Sequence, residues 1–159
     1  MKDMTKQQME ERFRKRFDRW FDFNFGVGKG WYPLLADLDD ELSAIDADYT
    51  VTQVKEKFGG LRFYATMSSG ASEMRADIIG VGSFSKPNEQ AAGDPAYGQF
   101  RAAIAAAEDA SYRICEDCGE PGGMCATSTG WWVTLCPACA EATGAEPVRD
   151  VDGDYGEGD

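Results

Sequence analysis

The sequence predicts an α+β fold: N-terminal helices, a β-hairpin, a third helix and a C-terminal four-cysteine module of zinc-ribbon type. Three observations carry that expectation. Apolar residues recur at helical spacing in three segments, an alternating stretch around Gly59-Gly60 reads as a hairpin, and the cysteines pair as CEDC and CPAC. A length of 159 residues suits one domain with a small appended module. The expected divisions are an α+β core over 1–112, with a glycine-rich insertion or loop at 68–96, a metal module over 113–144, and an acidic disordered tail over 145–159.

The first helix opens on Thr5, with Gln8 placed three residues later to close a capping box. Met9, Phe13, Phe17, Trp20 and Phe21 then form one apolar stripe. Arg12, Arg14, Lys15, Arg16 and Arg19 fall mostly off it and read as a solvated face. The alternative is a basic face for an acidic partner, or for the protein's own acidic parts. Residues 24–30, NFGVGKG, break the helix as a flexible connector. A phosphate loop would need a preceding strand and a G-K-[ST] sequence, and neither is present.

A second helix is expected from Trp31 to about Asp46, with Pro33 in its first turn and Leu34, Leu35, Leu38, Leu42 and Ile45 at helical spacing. Asp37, Asp39, Asp40 and Glu41 read as a solvated acidic face. Opposite charge on the first two helices favours their packing as an antiparallel pair.

From Tyr49 to Met67 the chain reads as a hairpin with one buried face. Its turn and other face bring Lys55, Lys57, Phe58, Gly59, Gly60, Arg62 and Tyr64 together as candidate ligand-binding residues. Cations interleaved with aromatic rings suit phosphate contact and base stacking, and they equally suit an ordinary hairpin packed under a helix. Residues 68–96 are rich in Gly, Ser and Ala; Ile78, Ile79 and Val81 suggest one short strand, and the remainder a long loop. Phe100, Ile104, Ala107 and Ser111 share the face of a third helix that ends near Tyr112.

That helix leads into Cys115 and Cys118, which are followed after 17 residues by Cys136 and Cys139. A C-x-x-C turn aims two thiolates at one point, and two such turns make a tetrahedral zinc site. Gly119 and Pro137 shape the turns, residues 131–135 form a β-prone run, and a short helical piece ends near Gly144. Two disulfides would need an oxidising compartment, and a thioredoxin-type redox pair would need a βαβ context. With four thiolate ligands no position stays open for water, so the expected zinc is structural. Cys125 is a spare thiol, a substitute ligand or a buried small side chain, the last being the plainest reading.

The totals narrow the function. A net charge of −12 argues against the whole surface being a nucleic-acid footprint. The absence of histidine excludes Ser-His-Asp and Cys-His catalysis and every His-ligated metal site. No apolar run is long enough for a membrane span and the N-terminal segment lacks an apolar signal core, so the expected location is cytoplasmic.

Three blocks stand out together: Gly30-Trp31 before the leucine-rich helix, VKEKFGGLRFY at 54–64, and CEDCGEPG with GWWVTLCPACA at the C-terminal module. On these blocks, which cover up to about half of the chain, it resembles a set of small, largely uncharacterised proteins encoded by bacteriophages and bacteria. The resemblance implies a shared fold with a C-terminal zinc-knuckle module and supplies no activity. The chain departs from it in the insertion at 68–96 and in Cys125. The expected function is that of a phage-type accessory protein that binds a host or defence macromolecule. Its partner would be a protein, with the acidic helix and tail suited to a basic one. The alternative is capture of a nucleotide or single-stranded nucleic acid by the hairpin at 54–64. An enzyme is the least supported reading, since Cys125 is the one conspicuous nucleophile and no base is visible for it.

Overall fold

The computed structural model describes residues 4–17, 25–78 and 82–148. Helix α1 (Lys6–Arg14) starts as its capping box dictates: the Thr5 side chain accepts from the Gln8 N–H, and the Gln8 side chain accepts from the Thr5 N–H. Met9 and Phe13 bury its apolar stripe; the helix ends at Arg14, short of the expected stripe, and the buried Phe17 instead bridges in parallel to Val51, while Trp20 and Phe21 lie outside the described residues. The expected connector contains a short strand, β1 (Phe25–Gly26), and a 3₁₀ turn over Lys29–Trp31, which runs into α2 (Tyr32–Ile45).

The hairpin consists of β2 (Thr50–Lys57) and β3 (Gly60–Thr66), with β1 paired in parallel to the outer edge of β2. A register shift between Val51 and Gln53 lets Val51 and Val54 both face the core despite their odd spacing. The two turn residues are Phe58 (φ +54) and Gly59 (φ +80), and Gly60 already pairs with Lys57. Two successive positive φ values match the twist of a two-residue hairpin. Glycine or asparagine is the usual choice there, so Phe58 is an outlier.

The segment expected to be mainly loop is ordered differently. Strands β4 (Glu73–Ile78) and β5 (Gly82–Pro87) pair as a second hairpin, and α3 (Glu89–Gly93) follows under an Asn88 cap. Helix α4 (Tyr97–Ser111) lies against α2 and β3. Between these layers Trp31, Leu35, Leu42, Phe63 and Phe100 are fully buried, and Phe13 meets Phe63 edge-on at 6.2 Å.

Charge couples α1 to α2, as their opposite signs suggest: on the solvated side Arg12 pairs with the exposed Asp40 at 2.6 Å, and a second set of contacts is buried. Asp39 and Arg16 are both buried. Asp39 takes the Arg16 Nε at 3.2 Å, the Arg12 Nη1 at 3.0 Å and the Tyr49 hydroxyl at 2.5 Å. Arg16 also donates to the Ala47 carbonyl and the Ser43 hydroxyl, and lies 4.2 Å from the Tyr49 ring centre. A buried carboxylate is tolerable only when surrounded by donors in this way.

The C-terminal module is built from β6 (Gly123–Ala126), β7 (Trp132–Leu135), α5 (Pro137–Thr143) and β8 (Glu146–Pro147), in sheet order β7-β6-β8. Gly144, at φ +73, ends α5 near the expected position. Ordered structure continues past 144: Ala145 is buried and Glu146 pairs with Ala126. Among the described residues no helix is long and apolar enough to cross a membrane.

Candidate metal centre

Each cysteine pair is shaped by a local device. After the first, Gly119 at φ +83 turns the chain so that its N–H donates to the Cys115 carbonyl at 2.9 Å. The second opens α5: Cys136 is the N-cap, and its sulfur accepts the Cys139 N–H at 3.4 Å. Pro137 occupies the first turn, where a missing N–H costs nothing. As a result all four sulfurs of Cys115, Cys118, Cys136 and Cys139 lie within 4.8 Å of one another, with Cys118 and Cys136 3.6 Å apart. This cluster can hold a metal ion. Cys115 and Cys136 are buried, Cys139 half-buried and Cys118 exposed. Cys125 stands outside the cluster, buried on β6, with its thiol 3.5 Å from the Gly123 carbonyl.

The clustered thiols shift one another. The Cys136 thiol is held down to about 7, chiefly by the Cys139 N–H. Cys139 is pushed up by its hydrogen bonds with the Cys136 and Cys118 sulfurs. One thiolate forms readily here, and more at this spacing need positive charge to neutralise them. Beside them, burial pushes the Glu116 carboxyl up to about 7, against the opposing pull of the Gly28 N–H that donates to it at 3.0 Å.

The cluster is joined to the α+β core at two places. At the first, the Gly30 N–H donates to the Glu116 carbonyl at 2.7 Å and the Trp31 indole N–H to the Ile114 carbonyl at 2.8 Å. A Cβ on Gly30 would collide with the carbonyls of Cys115 and Glu116 and with the Gly119 nitrogen, all backbone atoms. At the second, Gly59 abuts Met124 and Val133 of the module, while Gly60 packs on the Tyr112 ring at the end of α4, within the core. The Thr134 hydroxyl donates to the Gly59 carbonyl at 2.6 Å across the seam, and behind it, within the core, the Leu61 N–H donates to the Ser111 hydroxyl of α4 at 2.9 Å. The Gly30-Trp31 and FGGL blocks are thus the seams between core and module.

The seven hairpin residues proposed as ligand contacts do not converge on one point. Gly59 and Gly60 are buried in the seam, and Phe58 is exposed at the turn with the Lys57 ammonium 5.3 Å from its ring centre. Arg62 and Tyr64 line a cleft on the outer face of the hairpin, where the Lys55 ammonium stands 5.5 Å from the Tyr64 ring centre. Sequence reasoning missed Thr134 as a seam residue, Ser111 and Tyr112 as the α4 residues that hold the hairpin behind the seam, and Trp131 and Trp132 as exposed ones. Only the tryptophans left a signal: no Asp, Glu, Lys or Arg occurs between Pro121 and Ala140, in a chain that is 28% charged. A charge-free surface segment with two tryptophans is unusual composition for a solvated hairpin. Comparison with protein-family models, with curated proteins and with solved structures finds no match to this chain.

Proposed function

We propose that the chain is a zinc-stabilised protein-binding module whose docking face is the aromatic surface formed by β7 and the β2–β3 turn. Four sulfurs favour zinc: tetrahedral coordination at about 2.3 Å per bond puts sulfurs about 3.8 Å apart, close to the 3.6 Å between Cys118 and Cys136. With four protein ligands the ion is structural. Cys115 and Cys118 from one knuckle and Cys136 and Cys139 from the other would hold it, and it would supply the charge that lets all four ionise.

The observation that carries the reading is the exposure of Trp132 (51%) on β7, with Trp131 (73%) exposed just before the strand, on a charge-free hairpin. Strand alternation puts Trp132 on the same face as Thr134, the face that meets the β2–β3 turn. Phe58 (58% exposed) stands at that turn in a backbone conformation that aromatic residues avoid. Strain retained at an exposed aromatic side chain supports a binding role. Tryptophan anchors surrounded by little charge are the composition of an interface centre. Exposed carboxylates border the module at Asp117, Glu120, Glu141 and Glu146, so the fitting partner is a protein with an apolar pocket and a basic rim. The resemblance to phage and bacterial proteins directs the search to host proteins.

The test compares the wild type with a Trp131→Ala/Trp132→Ala double variant as bait in host lysate, at low and high salt. A protein retained by the wild type and lost from the double variant, while the variant keeps its metal and its melting temperature, supports the reading. Identical capture by both baits would sink it.

A further inference from the structure

A cleft of about 320 Å³ opens on the outer face of the first hairpin, away from the tryptophans, between β3, the β4–β5 hairpin and α4. Its walls carry three arginines, Arg62, Arg75 and Arg101, and three aromatic residues, Tyr64, Phe84 and Tyr112. Arg75 and Arg101 are anchored. Arg75 donates to Glu108 at 2.8 Å and pairs with Glu73, its guanidinium carbon lies 4.9 Å from the Tyr64 ring centre, and Arg101 pairs with Glu73 through Nε.

Arg62 differs. Its guanidinium contacts the Leu61 carbonyl at 3.0 Å and the Tyr112 hydroxyl at 3.3 Å, both neutral, and no carboxylate pairs with it among the described residues. Two carboxylates line the cleft, and both are engaged elsewhere: Glu108 with Arg75 and the Phe63 N–H, Asp109 with Arg113. Arg101 also keeps one buried donor, Nη1, without a hydrogen-bond partner. Three guanidiniums therefore line the cleft against two carboxylates, Glu108 and Asp109, and Asp109 is taken up by Arg113, in a chain of net charge −12. Phe84 adds a ring that is 57% exposed at the rim.

We infer that this cleft binds a small phosphorylated aromatic ligand of mononucleotide size, with Arg62 holding the phosphate and Phe84 stacking on the base. Guanidinium is the side chain suited to phosphate because its planar fork donates two parallel bonds. An exposed aromatic ring beside it supplies the stacking platform. The volume lies at the small end of ligand pockets, which excludes a long strand from being enclosed. The inference is independent of the protein-docking face, since the two surfaces share no residue.

The test is isothermal titration of the metal-loaded full chain with AMP, GMP, CMP and UMP, and separately with inorganic phosphate. Expected is saturation at one site per chain by at least one monophosphate, with inorganic phosphate much weaker. Arg62→Ala should weaken that binding about tenfold or more, and Phe84→Ala about fivefold or more. Phe84 is exposed, so its variant keeps the test decisive even if Arg62→Ala folds poorly. Absence of saturation with all four nucleotides, equal affinity for inorganic phosphate, or full affinity in the Phe84 variant would each overturn the assignment.

Discussion

Thr134 and Gly59 lie 75 positions apart in the chain, yet the threonine hydroxyl donates to the glycine carbonyl at 2.6 Å in a site closed to solvent. That bond fixes the cysteine module onto the hairpin turn. Thr134→Val keeps the shape and removes the donor, leaving a buried carbonyl unpaired at a cost of about 1–3 kcal/mol. In a chain of this size that lowers the melting temperature by roughly 2–4 °C per kcal/mol. Thermal denaturation of the valine and serine variants checks it, with serine expected to retain most of the stability.

Gly30→Ala should be more damaging than Gly60→Ala. A Cβ at Gly30 meets only backbone of the first cysteine turn, whereas at Gly60 it meets the Tyr112 ring, which can swing aside. We expect Gly30→Ala to cost about 3 kcal/mol or more and to speed metal loss to a chelator. Denaturant titration and a colorimetric metal-release assay would measure the two effects together. Equal losses from both variants would contradict the docking geometry.

Native mass spectrometry should find one zinc per chain. Cys115→Ser, Cys118→Ser, Cys136→Ser and Cys139→Ser should each lower or abolish its retention, while Cys125→Ser should keep it, because Cys125 stands outside the cluster. Stripping the metal should unfold the module first, visible as loss of tertiary signal from Trp131 and Trp132. Retention of full stability by the metal-free chain would overturn the structural role.

Alkaline pH should destabilise the fold through Tyr49. Burial, and then the hydrogen bond to Asp39, push the Tyr49 phenol well above its ordinary value. A group whose folded pKa is raised stabilises fully below its unfolded pKa, about 10 for tyrosine. Above that pH the unfolded chain releases a proton that the folded chain keeps, and this contribution falls by about 1.4 kcal/mol per pH unit. Unfolding midpoints measured from pH 8 upward should drop more steeply for the wild type than for Tyr49→Phe. Tyr49→Phe should itself lose about 1–3 kcal/mol at neutral pH, since the buried Asp39 side chain loses a donor.

Phe58→Asn should raise stability and weaken partner binding. Asparagine accepts the φ of +54 that phenylalanine resists, a gain of about 0.5–1 kcal/mol. The exposed ring would be gone. A variant that is less stable than the wild type would remove the strain argument for this residue.

The parts of this structure that could be read from sequence are those specified within a few residues. The Thr5–Gln8 cap, the leucine spacing of α2 and the two C-x-x-C turns each carry their instructions locally. Asp39 and Arg16 could not be read that way. They look like solvated charges because the donors that justify burying Asp39 come from Arg12, Arg16 and Tyr49, on other elements. The β4–β5 hairpin was obscured because Met74 and Phe84 point outward, so its alternation does not mark a buried face. Gly59-Gly60 advertises a turn, and nothing near it says that the turn is pressed against Tyr112 and Met124.

The seam between Gly59 and Thr134 has a consequence for synthesis. The hairpin turn is made early by the ribosome and waits through 75 further residues for the hydroxyl that satisfies its carbonyl. Until Cys136 and Cys139 have followed and the second knuckle has closed, the nascent chain keeps an uncovered edge that chaperones and proteases can reach. The seam can therefore form only after the second knuckle is made, however early the hairpin itself pairs.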